Sequence, residues 1–160
     1  MTFRDAEESD RPGIISILKA SFTKIYAYYA AKSFESLKNC LVSSDKSGLT
    51  GVINWRHFKT RKEWICYLYW LAIRPDRRGK GLGMSLFKHA MRRQKKCGMV
   101  CAATEKSNKI ASAMLKKAGF SIITRKEMKL HFGSETSKLC AEMNLMPWED
   151  LYTMKKSAGR

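Results

Sequence analysis

Read for the spacing of apolar and polar positions, the chain alternates between helical and strand periods from Arg11 onward. In "RPGIISILKASF" Ile14, Ile17, Leu18 and Phe22 recur at helical spacing, and Pro12 falls in the first turn, where its missing N–H costs nothing; this is a first helix. The segment "TKIYAYYAAKSFESLKNC" is again helix-compatible and carries Tyr26, Tyr28, Tyr29 and Phe34. "LVSSDKSGLTGVINWRHF" reads as a hairpin turning at Asp45 to Gly48. "EWICYLYWLAI" is almost continuously apolar, which predicts a strand covered on both faces.

Beyond a turn at Pro75 comes a helix with Leu82, Leu86, Phe87, Ala90 and Met91 on one face and Lys88, Arg92, Arg93, Lys95 and Lys96 on the other, stopping at Gly98. "MVCAAT" is a short buried strand. "SNKIASAMLKKAGF" is a helix capped by Ser107, with Ala111, Met114, Leu115 and Ala118 on its apolar face and Gly119 as its stop. "SIITRKEMKLHF" reads as a strand or the edge of a strand pair, and Gly133 to Pro147 as a polar connection into a last strand, "EDLYTMKK". The series is helices, an antiparallel meander, then strand-helix-strand-helix-strand: an α/β protein built on a mixed central sheet flanked by helices.

A chain of 160 residues with 44% hydrophobic positions supports one core, so a single domain over 1–160 is expected. With no leader pattern and no bilayer-length apolar run, the expected setting is cytoplasmic, with no membrane partner. The five cysteines are odd in number and mostly sit in apolar patterns, which favours small buried thiols over disulfides. No metal is expected, because neither C-x-x-C nor H-x-x-x-H spacing occurs.

Charge changes the picture more. Lys and Arg number 31 against 14 Asp and Glu, a net charge of +17. Four acids crowd the first ten residues (Asp5, Glu7, Glu8, Asp10), while between Arg77 and Lys126 the only carboxylate is Glu105. The middle of the chain therefore suits an anionic ligand, a nucleic acid, or a merely solvated face.

That basic region contains "RRGKGLG" between a strand and a helix. A P-loop fails here, because Arg74 and Gly81 stand where it needs a glycine and a hydroxyl residue. A dinucleotide fingerprint fails at Met84, which replaces its third glycine. The pattern R-x-x-G-x-G is met by Arg78, Gly81 and Gly83. Glycines let the backbone turn tightly, and unpaired N–H groups at the helix start can take a diphosphate. Arg77, Arg78 and Lys80 add counter-charge.

In this context the motif resembles the acetyl-CoA site of the GNAT superfamily of N-acetyltransferases. "LAIRPD" resembles that family's fourth strand, and "SNKIASAMLKKAGF" its downstream helix, with Asn108, Ala111, Gly119 and Phe120 in register. The resemblance implies a GNAT-like fold and transfer of an acetyl group from acetyl-CoA to a primary amine by direct attack in a ternary complex. It implies coenzyme contacts from Leu71, Ala72 and Ile73, whose backbone would pair with the pantetheine arm, from Arg78, Gly79, Lys80, Gly81, Leu82, Gly83 and Met84, and from Asn108.

The proton chemistry departs from the family pattern. An alkylammonium of pKa about 10.4 must lose a proton before it can attack, which at pH 7 costs about 4.6 kcal/mol. Where relatives carry a carboxylate or histidine on the fourth strand this chain has Tyr67 and Tyr69; where another branch has a glutamate it has Ala103, with Glu105 two residues on. The family's helix tyrosine is replaced by Leu115. Tyr67, Tyr69 and Glu105 are therefore the catalytic candidates, and Tyr26, Tyr28 and Tyr29 are expected to line the acceptor pocket. As partners the reading admits an amine acceptor, RNA or a ribonucleoprotein on the basic face, and a second copy of the chain. Acetylation of a protein- or RNA-linked amine, and a basic nucleic-acid-binding domain that has lost the chemistry, stay open as alternatives.

Overall fold

The structure is a computed structural model, which describes residues 1–156. In chain order the elements are β1 (Thr2–Asp5), α1 (Arg11–Ser21), α2 (Lys24–Ser33), β2 (Cys40–Asp45), β3 (Gly48–Lys59), β4 (Trp64–Ile73), α3 (Leu82–Arg92), β5 (Met99–Glu105), α4 (Lys109–Lys117), β6 (Ser121–Ile122), α5 (Arg125–Phe132), α6 (Thr136–Glu142) and β7 (Glu149–Lys155). The strands form a seven-stranded mixed sheet in the order β1-β2-β3-β4-β5-β7-β6, flanked by helices, as the apolar periodicity implied. Two compact units divide the chain.

The first unit comprises Met1–Trp55 and Tyr69–Arg93. Its core joins α1 and α2 to the sheet through Ile14, Ile17, Leu18, Ala30, Phe34, Val42, Val52 and Ala72. The opening strand β1 lies antiparallel to β2 from Thr2↔Ser44 to Asp5↔Leu41, an element that the polar tetrapeptide Thr-Phe-Arg-Asp did not signal. It delivers Arg4 to Asp10, whose two carboxylate oxygens accept from the guanidinium at 2.6 and 2.8 Å. Asp10 also accepts the N–H of Glu7, which steers the chain into α1. The helix of the tyrosine segment is shorter than its composition suggested, ending at Ser33.

The second unit comprises Arg56–Leu68 and the chain from Gln94 onward. Here β4 runs parallel to β5 from Ile65↔Met99 to Leu68↔Ala102, and β7 lies antiparallel to β5 over seven pairs, Met99↔Lys155 to Glu105↔Glu149. Four consecutive buried residues, Ile65 to Leu68, match the expectation of a strand covered on both faces.

Several boundaries differ from the sequence reading. The third helix stops at Arg92, not at Gly98. Gln94 leaves the helix to be buried at 1% exposure, where its side-chain oxygen meets Nε2 of His57 at 2.8 Å and its carbonyl accepts from Nζ of Lys156. Gly98 has a different role: a Cβ there would collide with the Glu63 carboxylate, which is held by His131 at 2.7 Å.

The segment 121–132 is not a strand beyond Ile122. Thr124 and Glu127 form a capping box, with Thr124 Oγ1 accepting from the Glu127 N–H and Glu127 Oε2 from the Thr124 N–H, and Met128 and Phe132 bury one helical face of α5. The span from Gly133 to Pro147 is likewise not a bare connection, because Thr136, Leu139 and Cys140 are buried on α6. Finally, α4 is capped by Asn108, whose Oδ1 accepts the Ala111 N–H at 3.1 Å, and not by Ser107, whose hydroxyl turns to Glu105. All five cysteines are free and buried, and burial pushes the Cys40 thiol up to about 12. No helix among the described residues is long and apolar enough to cross a membrane.

Candidate active site

In the first unit the site grows out of the end of β4. Arg74 donates its N–H to the Thr50 carbonyl at 2.9 Å, so the strand is still paired with β3 where it leaves the sheet. Successive residues of a strand point their backbone groups to opposite edges. Ala72 therefore faces β3, as Arg74 does, while the N–H and C=O of Leu71 and Ile73 turn to the other edge. The expected trio separates accordingly: Leu71 and Ile73 present main-chain groups away from β3, and Ala72, 3% exposed, belongs to the core.

The turn that follows is held by its arginines. Arg74 binds Asp76 and the Leu49 carbonyl, while Arg77 binds Asp45, Asp76 and the Ser47 hydroxyl. The Ser47 hydroxyl and N–H, with Arg77, hold the Asp45 carboxyl far below the usual carboxylate range. Arg77 is thus neutralised by two carboxylates and is not the free counter-charge that the sequence suggested. Arg78 is different. Its Nε donates to the Ile73 carbonyl and its Nη2 to the Ser21 hydroxyl, both at 2.9 Å, so it staples the turn to β4 and α1 through neutral acceptors and has no carboxylate partner among the described residues.

Gly79 and Gly81 both adopt left-handed backbone conformations, φ +76° and +73°, and a Cβ at either would meet nothing within 4 Å. The openness belongs to the outside of the turn and the φ values to its tightness; only glycine satisfies the second without strain. Gly81 is the N-cap of α3, and no side chain among the described residues caps the helix. Leu82, 8% exposed, anchors the first turn. The amides at Leu82, Gly83 and Met84 thus open a helix of eleven residues with its positive end bare, beside Arg78 and the exposed Lys80. A diphosphate fits this cradle: it needs N–H donors, approach room and positive charge, and all three are present.

Between α1 and α2, Lys19, Phe22, Lys24, Ala27, Tyr28 and Ala31 line a cavity of about 560 Å³. Of the three tyrosines expected to line an acceptor pocket, Tyr28 is the one on this cavity. Tyr26 instead packs edge-on against Trp70 at 6.1 Å, as Phe22 does at 5.2 Å, and Tyr29 packs against Tyr28. The buried indole Nε1 of Trp70 has no hydrogen-bond partner among the described residues.

Of the catalytic candidates, Tyr69 is half-buried on the first unit's part of β4. Tyr67 lies in the second unit at 4% exposure, opposite Cys101 of β5. Glu105, half-buried at the end of β5, stands opposite Glu149 of β7. Burial, with the Glu105 charge adding to it, raises the Glu149 carboxyl above the usual range against the opposing bond from the Met146 N–H. Sequence reasoning missed Glu149, because a charge at the start of a strand reads as solvated until the β5–β7 register brings a second carboxylate beside it. Leu115, at the place of the family's tyrosine, is 4% exposed and packs in the core.

The family model of the acetyltransferase (GNAT) family matches residues 11–120. No curated protein sequence matches the chain. Among solved structures, the ribosomal-protein-S18-alanine N-acetyltransferase from Escherichia coli is 16% identical with a TM-score of 0.68, covering 99% of this chain and 96% of that one. The ribosomal-protein-alanine N-acetyltransferase from Brucella melitensis is 18% identical, TM-score 0.65, covering 98% and 99%. The PaiA N-acetyltransferase from Thermoplasma acidophilum, in complex with coenzyme A, is 13% identical, TM-score 0.69, covering 97% and 98%. At these identities the structures speak for the fold, and the family model, spanning more than half the chain, speaks for the family. The chain belongs to the acetyltransferase (GNAT) family, the acetyl-CoA-dependent N-acetyltransferases.

Proposed function

We propose that this protein transfers the acetyl group of acetyl-CoA to a primary amine, with both substrates bound together and the amine attacking the thioester carbon directly. The observation that carries the reading is the start of α3, uncapped among the described residues and entered through two left-handed glycines beside Arg78, whose bonds go to neutral acceptors. On this reading the amides of Gly79 to Met84 take the diphosphate, with Lys80 and Arg78 supplying positive charge, and the main-chain groups of Leu71 with the N–H of Ile73 pair with the pantetheine arm, the Ile73 carbonyl being held by Arg78. Asn108 is left a smaller part than the motif suggests, since its side-chain oxygen already caps α4. Tyr67, Tyr69 and Glu105 are the groups we assign to handling the proton.

The acceptor is proposed to enter by the cavity between α1 and α2, whose lining of rings, alanines and two lysines favours an amine on an apolar body over a polycation. The net charge of +17 points the same way, and exposed Lys88 and Arg92 on α3 support docking of an acceptor linked to RNA or an acidic protein. An acceptor panel followed by release of free thiol tests the activity. Turnover with an amine bearing an anionic or RNA-linked body is expected; spermidine as the best acceptor would overturn the assignment of class.

A further inference from the structure

Asn54 is an amide buried at 4% exposure in an otherwise apolar stretch of β3, and its side chain is bonded at both ends. Its Nδ2 donates to the main-chain oxygen and to the hydroxyl of Ser33, both at 3.1 Å, at the last residue of α2. Its Oδ1 accepts the backbone N–H of Trp70, also at 3.1 Å.

The last bond is out of place in a regular ladder. The bond from the Arg74 N–H to the Thr50 carbonyl fixes the register at the end of the strand, and stepping back in pairs sets Ala72 opposite Val52 and Trp70 opposite Asn54. A continued ladder would send the Trp70 N–H to the main-chain carbonyl of Asn54; it goes to the side chain. Near the hairpin turn the Thr60 N–H donates to the Glu63 carbonyl, so β3 takes ten residue steps from Thr60 back to Thr50 while β4 takes eleven from Glu63 to Arg74. One extra residue on one strand is a bulge, which frees an N–H from its ladder partner. A buried free N–H is costly, and the Asn54 carbonyl oxygen supplies the missing acceptor.

We propose that Asn54 is a positioning residue for the coenzyme: by holding the Trp70 N–H on one side and the end of α2 on the other, its side chain sets the backbone of Leu71–Ile73 for the pantetheine arm. This rests on the coenzyme site proposed above. The segment is clamped at its far end by Arg78 on the Ile73 carbonyl and by Thr50 on the Arg74 N–H. Asn54 is the clamp at the near end, and the main-chain groups of Leu71 lie between. Only a side chain with a donor and an acceptor joins both elements.

The test is calorimetric titration of the wild type, Asn54→Ala and Asn54→Asp with two ligands. One is coenzyme A; the other is 3′-phosphoadenosine 5′-diphosphate, which keeps the diphosphate and lacks the pantetheine arm. Loss of one net hydrogen bond corresponds to about tenfold, so Asn54→Ala is expected to weaken coenzyme A by about that factor and to leave the fragment within about twofold. Asn54→Asp, which keeps the acceptor for the Trp70 N–H but sets a carboxylate against the Ser33 carbonyl in place of the donor, should likewise weaken coenzyme A and spare the fragment. Should Asn54→Ala fail to fold, Asn54→Leu, nearly the same shape and unable to hydrogen-bond, takes its place with the same expected split. Equal weakening of both ligands, or no weakening of either, would overturn the inference while leaving the coenzyme site standing. A wild type that binds neither ligand would remove the coenzyme site itself and the inference with it.

Discussion

At the scale of single residues, the entry to α1 depends on one buried carboxylate. The guanidinium of Arg4, hydrogen-bonded to Asp10, is the largest influence holding that carboxyl below its ordinary value, against the opposing effect of burial. A group whose pKa is depressed by folding stabilises the native state above its unfolded pKa, and the contribution is lost as pH falls through the folded one. Asp10→Asn should therefore lower stability at pH 7 by about 2 kcal/mol, the range for a hydrogen bond to a charged group. In urea denaturation, the gap between variant and wild type should narrow as the buffer is taken below the ordinary carboxylate range; a gap independent of pH would mean that charge plays no part. Gly81→Ala belongs to the same scale. With φ at +73° the added Cβ should cost about 1 kcal/mol or more of stability while meeting no neighbour. Thermal melts that show no loss would mean that the turn relaxes out of the left-handed region. Neither Asp10 nor Asn54 was legible as a structural residue beforehand, since a lone polar position reveals its partner only when another strand supplies it.

At the scale of elements, periodicity was a good guide wherever an element buries a wide apolar stripe. The helices α1, α3 and α4, the β2–β3 hairpin, and β4, β5 and β7 follow the spacing of their apolar residues. It failed where the stripe is narrow: α5 buries only Met128 and Phe132 among charged neighbours, and β6 is two residues long. The signal that could have found α5 was its capping box, Thr124 to Glu127, which lies inside a stretch whose Ile122 and Ile123 suggest a strand. Thr124→Ala should lower stability by about 1 kcal/mol. Hydrogen exchange should then speed up in the first turn of α5; protection unchanged there would show that burial of Met128 and Phe132 alone holds the helix.

At the scale of the whole molecule, the order of elements with the R-x-x-G-x-G motif pointed to the family, while the charge left an anionic partner and a solvated face both open. What the sequence could not carry was the division of labour among the basic residues: Arg77 is spent on Asp45 and Asp76, Arg78 on the turn, and Lys80 remains exposed. Because a net charge of +17 attracts a polyphosphate over a Debye length of about 10 Å at 0.1 M salt, coenzyme A affinity should fall severalfold between 50 and 200 mM salt. Salt-independent affinity would confine recognition to the amides. The site itself is tested most directly by titrating isotopically labelled protein with coenzyme A and following the backbone amide spectrum. The account predicts saturable shifts at Gly79 to Met84, largest at the opening of α3. Saturation that leaves those six amides unmoved, or no saturable change anywhere, would contradict it.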